Sequence, residues 1–252
     1  MLLINTEKFK RVIRRFPSFY ECLRNTYYHI FYSAETLCLG SKIHEWRWKN
    51  KRITSDSAFI ASMKHPHREG LLKKFKQYQP IETVLEVGCG SGQNLVMLAR
   101  EFPNVSFYGI DINSSFIEAG KNWCAQSGIK NVSLQLGNAD DLSMFTNRSV
   151  SITFTDATLI YIGPDKIEQA LSEMKRITSK MLLFNEWHSD GPNHDQQSCW
   201  YYGHWVHNHR ALIEKIFPSA QCHITKVPGN LWESGGGWEM YGSLVEVNLG
   251  KP

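Results

Sequence analysis

The chain has 252 residues, 42% of them hydrophobic and 12% aromatic, with a formal net charge of +4. That apolar content suffices for a packed core and excludes global disorder, while so mild a charge does not by itself argue for nucleic-acid binding. The six cysteines are scattered without a C-x-x-C pair, a pattern of reduced thiols in the cytoplasm that argues against a disulfide framework or a zinc module.

Near the start, Phe9, Val12, Ile13 and Phe16 recur at i, i+3, i+4 and i+7, with Lys10, Arg11, Arg14 and Arg15 largely on the other face. This predicts an amphipathic helix over 6–16, read first as a lid on the main domain and second as a peripheral contact with the inner membrane surface. Pro17 interrupts the pattern, and a second helical stretch through Leu23, Tyr27, Ile30 and Leu37 runs to Gly40. The charges from Glu7 to Arg15 leave no apolar core for a secretion signal, and no run reaches the ~18 apolar residues of a membrane span. Residues 42–58 are basic and aromatic. Trp46 and Trp48 among Lys49, Lys51 and Arg52 have the composition of a base-stacking surface, but are read as packing residues with cation–π neighbours. After His65-Pro66-His67-Arg68 a helix is predicted from Glu69 to about Tyr78, closed by Pro80. Residues 1–80 are thus expected to form a helical extension and 81–252 the main domain.

From Val84 the pattern alternates between strand and helix. Val84, Leu85 and Val87 form a buried strand; Gly88, Gly90 and Gly92 follow at alternate positions, and a helix carries Leu95, Val96, Leu98 and Ala99. Such a strand–loop–helix brings backbone close to a small ligand. A second strand over 105–110 ends in Asp111, and Ser114 or Ser115 is the expected N-cap of a helix that stops at Gly128. Strands over 132–136 and 150–154 follow, the latter ending at Thr155-Asp156. Pro164 suits the first turn of a helix with Ile167, Ala170, Leu171, Met174 and Ile177 on one face, before a strand over 181–184 that ends at Glu186-Trp187-His188. This order predicts a doubly wound parallel sheet with helices on both faces. The tail departs from it, with a helix over 209–217 and then two strands, 221–227 and 243–249, having no helix between them. These form an expected antiparallel pair at one sheet edge. Gly235-Gly236-Gly237 reads as a mobile turn.

The glycine spacing is G-x-G-x-G, whereas pyrophosphate-binding dinucleotide folds use G-x-G-x-x-G. Glu86, two residues before the first glycine, is unfavourable beside phosphates and favourable beside a cation such as the sulfonium and ammonium of S-adenosylmethionine. With the antiparallel last pair, the E-x-G-x-G core and Asp111 at the next strand end, residues 81–249 resemble the class I S-adenosylmethionine-dependent methyltransferases, whose Rossmann-like, seven-stranded sheet ends in a reversed strand. The resemblance implies that Glu86, Gly88, Cys89, Gly90, Gly92 and Asn94 frame the methionine end of the cofactor. It also implies that Asp111 holds the ribose hydroxyls, that Ile112 packs on the adenine, and that Asp156 lies beside the methionine moiety. Where the family usually has an acid at the adenine amino group this chain has Asn138, followed by Ala139, with Asp140 as the alternative acceptor.

Methyl transfer to a hydroxyl also needs its proton removed near the C-terminal strand ends. The segment 186–209 is long and dense in His188, His194, His204, His207 and His209 among tryptophans and tyrosines, so it is expected to line the acceptor site. Glu186 and His188 are the candidate bases, and Tyr161 the residue ordering the acceptor. The H-x-x-H-x-H spacing at 204–209 matches no standard metal site, and no metal is expected. Trp46-Arg47-Trp48 and the following HPHR are weakly similar to bacterial methyltransferases associated with surface-polysaccharide assembly. The expected reaction is O-methylation of a small molecule or glycan, without a nucleic-acid partner. The rivals are N-methylation of a small amine or lipid headgroup and a non-catalytic binding or scaffold protein.

Overall fold

Val84 packs on one face of strand β1 (Thr83–Val87) and Leu85 and Val87 on the other, so the first strand is buried on both sides. A computed structural model of the chain describes residues 39–52, 65–191, 198–201, 203–228, 231 and 237–250. The helices expected over 6–16 and up to Gly40 fall largely outside the described residues, as do His194 and most of the 235–237 glycine turn.

In chain order the further strands are β2 (Ser106–Asp111), β3 (Val132–Leu136), β4 (Val150–Asp156), β5 (Thr178–Trp187), β6 (Ser198–Tyr201), β7 (His204–His207), β8 (Gln221–Lys226) and β9 (Gly242–Asn248). All but β6 and β7 join β1 in a seven-stranded sheet of order β3-β2-β1-β4-β5-β9-β8. The first five strands are parallel. β9 runs antiparallel to both β5 and β8, as the tail pattern predicts. One difference is a short helix, Gly237–Tyr241, between the last two strands, where the glycine turn concealed any helical period.

Helices α1 (Ser41–Lys49) and α2 (His67–Gln77) precede the sheet; α3 (Gln93–Glu101), α4 (Ser114–Gln126), α5 (Ile167–Ile177) and α6 (His209–Ile216) follow its strands, and the short helix is α7. Leu71 and Phe75 of α2, Leu95 and Leu98 of α3 and Ile117 of α4 cover one sheet face through Val84, Phe107 and Phe154. Ile167, Leu171 and Met174 of α5 and Leu212 of α6 cover the other through Leu85, Phe184 and Val245. Each such side chain contributes about 1.5–3 kcal/mol of transfer free energy on burial. The N-cap of α4 is Asn113, whose side chain accepts from Phe116 N, rather than either serine. Asn113 wins because it lies one residue earlier and its amide also donates to backbone beyond α1.

Segment 186–209 is less irregular than expected. Its second half is a hairpin of β6 and β7, an antiparallel pair separate from the main sheet. No helix among the described residues is long and apolar enough to cross a membrane.

Candidate active site

The strand order reverses between β1 and β4, and in open α/β sheets the crevice beyond the strand ends at such a point is the natural ligand site. A cavity of about 290 Å³ lies there. The glycine loop forms its floor. Gly88 N and Cys89 N both donate to Ile110 O, at 2.8 and 3.0 Å, and so fold the loop against β2. Gly88 has φ +77°, and a Cβ there would sit 2.2 Å from Thr158 Oγ1, so only glycine fits between the loop and the end of β4. Gly92 is the left-handed residue preceding α3.

Asp111 is held from two sides: Gly90 N donates to its Oδ2 and Asn113 N to its Oδ1, each at 2.8 Å. Burial raises its pKa, opposed by those backbone donors. Glu86 and Asp156 share one donor. Asn94 Nδ2 gives hydrogen bonds to Glu86 Oε1 at 2.7 Å and to Asp156 Oδ2 at 2.9 Å. Asp156 is also bonded to His67 Nε2 at 2.8 Å and Asn185 Nδ2 at 2.7 Å. Against the effect of burial, His67 and Asn94 hold its pKa down to about 2. Arg68 Nη1 donates to Asn94 Oδ1.

Helix α1 roofs the cavity and is tied at both ends. Ser41 Oγ donates to Asp165 Oδ1 at 2.8 Å and accepts from Gly163 N at 2.7 Å. At its far end, Asn113 Nδ2 donates to Trp48 O and Lys51 O at 2.6 and 2.7 Å. Between these ties Lys166 bridges Glu45 and Asp140, at 2.5 and 2.8 Å. His44 and Trp48 meet Tyr161 edge to face, with ring centroids 5.5 and 5.0 Å apart. Burial, then His204 and Arg47, hold the His44 imidazole down to about 3, so it is neutral at physiological pH.

A family model described as "Methyltransferase domain" matches residues 84–180. Over those residues the chain is similar to a methyltransferase domain. A tRNA (guanine-N(7)-)-methyltransferase of Bacteroides fragilis is 37% identical over 86 residues, covering 32% of this chain and 33% of that protein. A protein-L-isoaspartate O-methyltransferase of Pyrococcus horikoshii is 29% identical over 118 residues, 47% of this chain and 50% of that one. The chain thus spans half or less of the length of these two curated relatives. Among solved structures, geranyl diphosphate C-methyltransferase from Streptomyces coelicolor, in complex with S-adenosyl-L-homocysteine, superposes with a TM-score of 0.58 at 14% identity. It covers 82% of this chain and 96% of that one. A SAM-dependent methyltransferase from Aquifex aeolicus gives 0.54 at 18% identity, over 75% and 92%. What these structures share with the chain is the fold.

The methyltransferase family uses S-adenosylmethionine, and the donor set here fits it. Glu86 is buried, and its Oε2 has no hydrogen-bond partner among the described residues, which leaves an acidic acceptor available for a cationic ligand. The fold brings most of the residues singled out in the sequence to one place. Glu86, Gly88, Cys89, Gly90, Asn94, Asp111, Ile112, Asn138, Ala139, Asp140, Asp156 and Tyr161 all line the cavity. Gly92 does not; it sets the entry to α3 from below. Asn138 Oδ1 accepts from Ala139 N at 2.9 Å, and Asp140 is paired with Lys166.

Neither candidate base is among the described residues that line the cavity. Glu186 is fully buried and accepts from the backbone N–H groups of Thr158, at 2.8 Å, and Ile160, at 3.3 Å. It braces the short turn Leu159–Tyr161. His188 Nδ1 faces His207 O and accepts from His209 N, so its ring fixes the hairpin to the end of β5. Both side chains, at 186 and 188, are engaged by backbone groups at the strand end. Sequence reasoning missed Arg68, His44, Trp48, Thr158 and Lys166 as cavity residues. The HPHR run and the tryptophan pair were visible signals, but nothing in one dimension placed α1 and α2 over the glycine loop.

Proposed function

We propose that this chain is an enzyme transferring a methyl group from S-adenosylmethionine to a hydroxyl oxygen of a small molecule or of a glycan unit. The observation that carries the reading is the roofed acidic cavity, with Glu86, Asp111 and Asp156 facing it and an open Glu86 oxygen on its floor. The cofactor supplies an electrophilic methyl group on a sulfonium centre. Asp111, pre-oriented by Gly90 N and Asn113 N, accepts the ribose hydroxyls. Arg68 offers a guanidinium to the carboxylate end, and Ile112 and Ala139 give apolar surface to the adenine. The α1 roof excludes water and favours an acceptor small enough to sit beneath it over a polynucleotide such as the tRNA named for several relatives. Tyr161 and His44 face the acceptor, the neutral imidazole accepting the hydroxyl hydrogen bond.

A second reading, N-methylation of an amine that arrives neutral, is favoured by the low pKa of His44, which makes it a weak proton acceptor. Mass-spectrometric assay of hydroxyl, amine and tRNA acceptors separates these. Methylation of the amine but not the hydroxyl class overturns the O-methyl reading, and methylation of tRNA alone overturns the small-acceptor one. Activity on none of them, with cofactor still bound, favours a scaffold role.

Two variants test the cofactor end. Asp111→Ala is expected to weaken S-adenosylhomocysteine binding by about ten- to a hundredfold, because ribose hydrogen bonds to a charged acceptor contribute about 1.5–3 kcal/mol; calorimetry checks it, and unchanged affinity overturns the ribose assignment. Lys166→Met removes a partly exposed tie of roughly 0.2–1 kcal/mol and is expected to leave the melting temperature nearly unchanged. It should instead speed S-adenosylhomocysteine dissociation several-fold in stopped flow, since it unties the roof.

A further inference from the structure

Glu86 and Asp156 present two buried carboxylates to a single amide nitrogen, Asn94 Nδ2. They are not equally served. Asp156 accepts from Asn94, from His67 Nε2 and from Asn185 Nδ2, so its ionised form is well solvated by fixed donors. Glu86 accepts from Asn94 on Oε1, while its Oε2 is buried without a hydrogen-bond partner among the described residues. The charged and titratable groups facing Glu86 are Asp156 from β4, Asp111 from β2, Arg68 from α2 and the Cys89 thiol in the loop. Two of these are like charges, and the Arg68 guanidinium is directed to Asn94 Oδ1. One guanidinium thus faces Glu86 against two other carboxylates, and where buried carboxylates outnumber the cation the less hydrogen-bonded one keeps the proton.

We propose that Glu86 carries a proton in the ligand-free protein and gives it up when a cationic ligand enters the cavity, so that cofactor binding releases one proton. The O–H bond of the Glu86 carboxyl breaks, its electron pair stays on the carboxylate, and the proton passes to buffer. The ligand's positive charge then balances the new anion. Burial raises the Glu86 pKa well above the carboxylate range, in keeping with this. The inference rests on the S-adenosylmethionine reading and adds to it a coupling between cofactor affinity and pH. It makes the site a detector of charge as well as shape, since an uncharged nucleoside offers nothing to displace the proton.

The test is calorimetry of the full chain with S-adenosylmethionine at about pH 6.5, in two buffers of different ionisation enthalpy. An α-amino group has an ordinary pKa of about 7.7–8.0, so the ligand arrives protonated and released protons come from the protein. The expected result is about one proton released by the unaltered protein, with none for adenosine and none for Glu86→Gln. Independently of any variant, affinity should rise by up to about tenfold per pH unit over the acid side of neutrality. Binding without buffer dependence, or affinity flat with pH, overturns the inference and leaves the cofactor reading standing. The same release from Glu86→Gln overturns the assignment to Glu86. No binding of S-adenosylmethionine overturns the cofactor reading, and the inference with it.

Discussion

Gly88→Val is expected to reduce S-adenosylhomocysteine affinity by roughly a hundredfold or more, the largest loss of any single change in the loop. The backbone at Gly88 has φ +77°, where a β-branched residue is strained by about 1–3 kcal/mol. The new Cβ would also stand 2.2 Å from Thr158 Oγ1 and 2.4 Å from Thr158 Cγ2. Rotation of the Thr158 side chain does not relieve this, because its Cβ also stands 2.8 Å away and its backbone N–H is held by Glu186 Oε1 at 2.8 Å. The loop must therefore retreat into the cavity, or the turn carrying Tyr161 must move. Either displacement misplaces Cys89 and Gly90, which line the cavity, and about 2.7 kcal/mol of misfit is enough for a hundredfold loss. Calorimetry reports the affinity and a melting curve reports the fold. A folded Gly88→Val protein with unaltered affinity would show that the loop does not approach the ligand.

The parallel half of the sheet was legible because strands such as β1 and β4 carry buried runs and helices such as α5 a clean 3.6-residue period. The α5 face of Ile167, Ala170, Leu171, Met174 and Ile177 is buried residue for residue as its spacing predicts. The reversed β9 was legible from the missing crossover helix, since antiparallel strands need none. The short α7 was not, because five residues carry too little periodicity to separate from a turn.

At the site, the glycine loop and the carboxylates could be read because their placement depends on local spacing along one strand–loop–helix unit. The base candidates lie outside the cavity lining for the complementary reason. Glu186 and His188 share the position of catalytic groups, at a C-terminal strand end, but a side chain's direction there depends on what packs beside it. Here the short turn after β4 leaves the N–H groups of Thr158 and Ile160 without a helical or sheet partner, and Glu186 accepts from both. Unsatisfied backbone in a buried turn would cost about 1–3 kcal/mol per group, enough to commit the carboxylate to that role. Arg68 and His44 illustrate the reverse case. Both precede the recognisable domain, and tertiary contacts alone bring them to the cavity.

Glu186 and His207 are expected to give stability effects of opposite pH dependence, because burial shifts an acid up and a base down. His207 is fully buried. Its Nδ1 bonds Ser198 Oγ at 2.7 Å, and its Nε2 donates to Leu159 O and Ile162 O at 3.1 and 3.0 Å. Burial holds it down to about 4, against an ordinary 6.5. Between those values the unfolded chain binds the proton that the folded chain refuses, so stability falls as pH falls from about 6.5 toward 4. Glu186 is raised to about 7 from 4.5, again by burial. Over that window the folded chain holds the proton and the unfolded chain does not, so its contribution is lost as pH rises. The two slopes oppose each other, and the wild-type curve partly hides both. Variants separate them. The cost of His207→Asn in urea unfolding is expected to grow by roughly 1–2 kcal/mol from about pH 5 to pH 6.5, because a proton bound by one state alone changes stability by about 1.36 kcal/mol per pH unit. The cost of Glu186→Gln should shrink by a similar amount over the same interval, since glutamine carries no charge to bury. Both residues brace the turn that presents Tyr161 to the cavity, so turnover in the two variants should follow stability, with no separate loss of a proton-transfer step. Parallel slopes, or a catalytic defect in Glu186→Gln at full stability, would return Glu186 to the reacting groups.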